Sequence, residues 1–116
     1  MHFKLIIALV EDGETQQVLD AARKAGATGS TVINQARGEG VNKSKTFFGL
    51  TLETQRDMIL LVVEEHLSRH ILEVIEQTGR FNDRPGSGIA FQIDIEDAVG
   101  VNHQIRELTD KIKDEL

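Results

Sequence analysis

Apolar residues occupy both alternating sets of positions from His2 to Val10. Phe3, Leu5, Ile7 and Leu9 form one set, and Ile6, Ala8 and Val10 the other. A period of two with both faces apolar predicts a central strand buried on both sides. Glu11-Asp12-Gly13 then predicts a turn. Thr15 or Asp12 is placed to cap a helix running to about Ala25, with Val18, Leu19, Ala22 and Ala25 as its stripe and Gly26 as its C-terminal cap. A second strand is predicted from about Ser30 to Arg37.

A polar, glycine-rich stretch follows from Gly38 to Thr54. The run Asp57 to Val63 is again apolar at both parities and predicts a second central strand. Glu65 to Gln77 has helical periodicity in Leu67, Ile71, Val74, Ile75 and Thr78. Gly79 to Gly88 is a loop with the chain's one proline, Pro85. In the fourth strand Ile89, Phe91, Ile93 and Ile95 alternate with Gln92, Asp94 and Glu96. This pattern puts Asp94 and Glu96 on the face away from the core. Asn102 to Leu116 predicts a final amphipathic helix with Ile105, Leu108 and Ile112 in line.

Strand-helix-strand, twice over, is the α+β, ferredoxin-like βαββαβ pattern. Two helices cover only one face of such a sheet. Ile6, Val10, Met58, Leu60 and Val62 are expected on the other face, where they need a cover. Another copy of the chain in a closed symmetric oligomer is the economical one. The C-terminal helix folding back is the alternative.

The second and third strands should be antiparallel neighbours, yet the connection between them runs from Gly38 to Gln55. Hairpin loops are usually about two to five residues, and far longer ones are usually functional or disordered. This loop carries Lys43 and Lys45, Arg56 at its exit, and Phe47 and Phe48, two of the five aromatic residues in the chain. An exposed aromatic pair beside basic residues suits a protein partner.

The length of 116 residues fits one domain, residues 1–116. With 40% hydrophobic and 28% charged residues, the chain has the composition of a globular protein. The net charge of −6 argues against general nucleic-acid binding. There is no cysteine, hence no disulfide framework or thiolate chemistry, and a cytoplasmic setting is expected. The apolar segment Phe3 to Val10 is too short to cross a membrane and lacks the features of a signal peptide, so no membrane insertion is expected.

Several motifs together resemble the PII family of signalling proteins. Gly29-Ser30-Thr31-Val32 is similar to the family's Gly-x-Thr-Val at the start of its second strand. Ala36-Arg37-Gly38-Glu39-Gly40 resembles the glycine-spaced entry to its long T-loop, here about residues 38–55. Gln77-Thr78-Gly79-Arg80 followed by Gly86-Ser87-Gly88-Ile89-Ala90-Phe91 resembles its B-loop, here about 79–88. The resemblance implies a homotrimer with adenine nucleotides (ATP, ADP or AMP) held between subunits. It also implies T-loops that dock on a transporter or enzyme, no catalysis and no cofactor. On that likeness Thr31, Arg37, Gly38, Gly40, Gly79, Arg80, Gly86, Ser87 and Gly88 bind the nucleotide. Glycines let backbone N–H groups approach phosphate, and turn-making alone accounts for many of them.

The chain also departs from the family. A B-loop lysine of the family is Ile89 here, and the loop is lengthened at Asn82-Asp83-Arg84-Pro85, where Arg84 is the candidate replacement charge. Family arginines after the fourth strand are replaced by Ala98-Val99-Gly100-Val101. Weak triphosphate binding is therefore expected, as in divergent PII-like proteins that take less charged nucleotides or respond to bicarbonate. There is no tyrosine, which excludes control by uridylylation.

His66 and His70 share a helix face at i, i+4 spacing and are weak candidates for a metal, with Glu73 or His103 as a third ligand. That is the alternative reading, a metal-binding trimer similar to the CutA family. Glu64, Glu65, Asp94, Glu96 and Asp97 suit acid–base work only inside a cleft, and a solvated surface is the expectation for them.

Overall fold

The computed structural model describes residues 1–36, 46–47, 50–51, 56–102, 105–106 and 108–110. The elements are β1 (Phe3–Glu11), α1 (Thr15–Lys24), β2 (Thr31–Ala36), β3 (Thr46–Phe47), β4 (Leu50–Thr51), β5 (Arg56–Glu64), α2 (Glu65–Gly79) and β6 (Gly88–Asp94). A four-stranded antiparallel sheet has the order β2-β5-β1-β6. This is the ferredoxin-like arrangement expected from the alternation of elements. The short β3–β4 hairpin lies within the connection between β2 and β5.

One core lies between the sheet and its helices. Val18, Leu19 and Ala22 of α1 and Ile71 and Ile75 of α2 pack with Ile6, Ala8 and Val10 of β1 and Ile59, Leu61 and Val63 of β5. The register pairs Ile6 with Leu61 and Ala8 with Ile59, so these side chains share a face.

The opposite face differs from expectation in membership. Leu5, Ile7 and Leu9 of β1 stand beside Val62, Leu60 and Met58 of β5 on one side and Ile93, Phe91 and Ile89 of β6 on the other. Ile6 and Val10, expected there, are buried under the helices. The apolar set of β6, expected in the core, belongs to this second face, and Ala90 packs on the helix side instead. When both parities of a strand are apolar, periodicity alone does not say which set meets the helices; cross-strand register decides it. Ile33 and Ile93 remain 47% and 48% exposed, so part of this face is open in a single chain.

The final segment is helical over its described residues, with Ile105 N–H bonded to Val101 O at 3.0 Å. Its Leu108 is only 1% exposed, so it docks on its own chain. Ile112 lies outside the described residues.

Helix starts also differ from expectation. Neither Thr15 nor Asp12 caps α1; the Thr15 hydroxyl donates to Asp57 Oδ2 at 2.6 Å, a buried partner that displaces a local cap. At the start of α2, Glu64 is the cap, accepting from His66 N–H at 2.8 Å.

Candidate functional site

The end of β1, both roots of the β2–β5 connection and the loop after α2 converge at one end of the sheet. Glu11 and Ala36 pair with Arg56 on opposite sides, and Val10 pairs with Gly88. The sequence counts Arg56 among the basic residues of the long loop, at its exit. It is instead the first residue of β5 and only 3% exposed. Its two terminal nitrogens donate to Ser87 O and Gly86 O, each at 2.6 Å. A guanidinium out of water needs acceptors for its donors, and its planar fork fits two adjacent carbonyls. Asp57 beside it is buried and accepts from Thr15.

The loop from Arg80 to Ser87 is folded on itself. Arg84 N–H bonds to Arg80 O and Ser87 N–H to Arg84 O, both at 3.0 Å. Arg80 caps α2 in the left-handed region, at φ 55°, where glycine or asparagine is usual. Its side chain is exposed, 3.9 Å from Asp83. Gly86 has φ 80°, which a side chain would strain. The Phe81 ring packs so closely over Gly79 and Gly88 that a methyl group on either would overlap it. These two glycines therefore have a packing reason of their own. Arg84 donates to Gly79 O at 2.8 Å and lies 3.5 Å from Glu14, so part of its charge is already engaged. The Ser87 hydroxyl is buried, and among the described residues it has no hydrogen-bond partner. Such an unmet buried donor is uncommon in a folded protein and marks this corner out.

A family model for nitrogen regulatory protein P-II matches residues 3–104. The chain belongs to the P-II family. This P-II family chain also resembles solved structures. One is the apo form of CPII from Thiomonas intermedia K12, a nitrogen regulatory PII-like protein, at 22% identity and TM-score 0.62, covering 82% of this chain and 90% of that one. CPII bound to ADP, AMP and acetate matches at 23% identity and TM-score 0.64, covering 86% and 92%. A putative PII-like signalling protein from Thermus thermophilus matches at 21% identity and TM-score 0.59, covering 82% and 88%. At these identities the likeness is one of fold. No curated protein matches the chain.

Of the P-II family positions, Gly86 and Ser87 meet the buried Arg56, Gly79 and Gly88 lie against the Phe81 ring, and Arg80 caps α2 with its side chain exposed. Thr31 opens β2 on the second face opposite Leu60. Leu60 lies four residues along β5 from Arg56, roughly 13 Å at the rise of a strand. Arg37, Gly38, Gly40, Lys43, Lys45 and Phe48 lie outside the described residues; Phe47 is placed by its backbone in β3. Sequence reasoning missed the clamp made by Arg56 and the packing role of Phe81. A charged pair, Arg56-Asp57, set directly against an apolar strand was the available signal, because charge there demands partners.

Of the other candidate chemistry, Glu64, expected on a solvated surface, is buried as the cap of α2, whereas Glu65, His66 and Asp94 are not buried. Among the described residues the one group of three possible metal ligands is Glu64, Glu65 and His66, and His70 is not part of it. Nothing here supports the CutA-like reading. Asp94 accepts from Lys4 at 2.6 Å, and that ammonium, with a smaller share from His2, holds its carboxyl below the ordinary range. Among the described residues, no helix is long and apolar enough to cross a membrane.

Glu64 and His66 form a close pair, with Oε1 and Nδ1 2.6 Å apart. This hydrogen bond, reinforced by the Glu64 charge, raises the His66 pKa above 6.5. A raised folded value means the pair contributes fully below about 6.5 and is lost as pH rises through the folded value. A proton-NMR titration of His66 should give a midpoint above 6.5, and Glu64→Gln should bring it back toward 6.5. A midpoint at or below 6.5 in the parent would show that the pair does not form.

Proposed function

We propose that this chain is a non-enzymatic regulatory protein. In this reading it senses an adenine nucleotide at the B-loop corner and regulates a protein partner, a transporter or enzyme, through its T-loop. The carrying observation is the convergence of both T-loop roots, Ala36 and Arg56, on the B-loop, where the Ser87 hydroxyl is buried and unpaired among the described residues. The domain is 1–116, with the T-loop at about 38–55, the B-loop at about 79–88 and the C-terminal segment at about 102–116. The apolar second face supports a homotrimer, as the family resemblance implies, and the cytoplasm is its proposed compartment. CPII, of the same fold, binds ADP and AMP. Ile89 in place of a lysine and the engagement of Arg84 leave less positive charge for a third phosphate. ADP or AMP is therefore the proposed ligand, with bicarbonate or another anion as a second effector.

Calorimetric titration with ATP, ADP, AMP and cyclic AMP, with and without magnesium and bicarbonate, tests this. Saturable heat from ADP or AMP, exceeding that from ATP, is expected. Silence across the panel would sink the sensor reading. Arg80→Gly should separate stability from binding. Relief of the left-handed arginine is worth about 1 kcal/mol, or a rise of about 4–8 °C in melting temperature. Loss of its charge should weaken ADP about tenfold or more. Unchanged ADP affinity would remove Arg80 from the site.

A further inference from the structure

Arg56 is the one described side chain seen to bond the B-loop while its own backbone stands at the T-loop root. Its guanidinium holds Gly86 O and Ser87 O, both at 2.6 Å. Its backbone pairs with Ala36, the last residue of β2. The β2–β5 ladder is irregular between Ile33 and Ala36, just where the strands part toward the β3–β4 hairpin. The ladder is therefore disturbed next to the point at which Arg56 enters it.

We propose that Arg56 is the positioning residue that couples ligand occupancy of the B-loop to the roots of the β2–β5 connection. The proposal rests on the nucleotide reading above. A ligand that engages the Ser87 hydroxyl or the turn at Gly86 shifts the two carbonyls that Arg56 holds. A buried guanidinium does not give up its acceptors without replacement, so it follows them. Its Cα is fixed in the ladder between Glu11 and Ala36, so a shift of the side chain loads the first rung after the loop. Coupling is reciprocal: a partner that holds the hairpin changes nucleotide affinity by the same factor. Lysine keeps the charge but reaches one carbonyl rather than two, which makes Arg56→Lys the informative change.

The chain has no cysteine, so Thr46→Cys gives a single labelling site in β3. The labelled protein, with and without Arg56→Lys, is titrated with ADP and with AMP while emission and heat are recorded. ADP is expected to change the emission of the reference protein. With Arg56→Lys, ADP should still release heat, but the emission change should fall by at least about fivefold, the lower end of usual allosteric coupling. An emission change that Arg56→Lys leaves intact overturns this inference alone. Binding to the reference protein without any emission change does the same. No heat from either nucleotide in the reference protein overturns the nucleotide reading and this inference with it. Hydrogen exchange on the unmodified chain needs no variant to fold. ADP should slow exchange at residues 84–88 and at Ala36 and Arg56 together; slowing confined to 84–88 counts against the coupling.

Discussion

Leu60→Asp is expected to leave the chain folded but monomeric, in contrast to the trimer proposed for the parent. Leu60 lies in the middle of β5 on the second face, opposite Ile7 and Thr31. Met58 and Val62 flank it on the same face. A second copy laid on this face takes the residue out of water. A carboxylate left there without a partner costs roughly 3–5 kcal/mol. Each 1.4 kcal/mol is about a factor of ten, so each contact weakens by about 10² to 10³-fold or more. In the separated chain the same carboxylate reaches solvent. The core under the helices, built on Ile59, Leu61 and Val63, is untouched. Light scattering coupled to size exclusion at micromolar concentration reads the mass, and circular dichroism reads the fold. A variant that keeps the parental trimer mass would show that the subunits meet elsewhere. A parent that is itself monomeric would remove the trimer from the proposal.

Gly88→Ala is the second change with a large expected effect. Gly88 opens β6 opposite Val10, and a methyl group there would overlap Phe81 Cε1. The obstacle is purely steric, because the backbone at Gly88 is not in the left-handed region. Overpacking of this kind usually costs about 1–3 kcal/mol. Phe81 also packs against the main core, so the ring has limited room to retreat. Urea denaturation should show the loss. Combining Gly88→Ala with Phe81→Ala should cost less than the two separate losses by about 1 kcal/mol or more, since the ring that clashes is gone. Strictly additive losses would mean the methyl group is accommodated in some other way. The result bears on function as well. If the ring alone demands glycine, then Gly79 and Gly88 are conditions for the fold of the B-loop, and Ser87, Gly86 and Arg80 are left as the contacts proposed for a ligand there.

Much of the architecture was legible in the order of patterns along the chain. Two apolar strands, two amphipathic helices and two flanking strands fit few topologies, and chain-connectivity rules reduce these to the ferredoxin-like one. The position of the B-loop was legible too, because Gly79, Gly86 and Gly88 punctuate the chain just where α2 ends and β6 begins. The motif that marks the family reads along the sequence because it is local.

What the sequence by itself determined was therefore the identity and order of the four strands of the main sheet and of the two helices between them, the family and the positions of the long connections. These depend on short-range periodicity and local turn chemistry, which neighbouring residues carry between them. Only the tertiary structure decided which face of each strand met the helices. Ile6 and Val10 went inward and Phe91 and Ile93 outward, since a register between strands is a relation that no single strand contains. It likewise decided the role of Arg56. In the sequence it counts among the basic residues of the long loop. It becomes a clamp only because residues far along the chain, Gly86 and Ser87, bring their carbonyls to it at the end of the folded sheet.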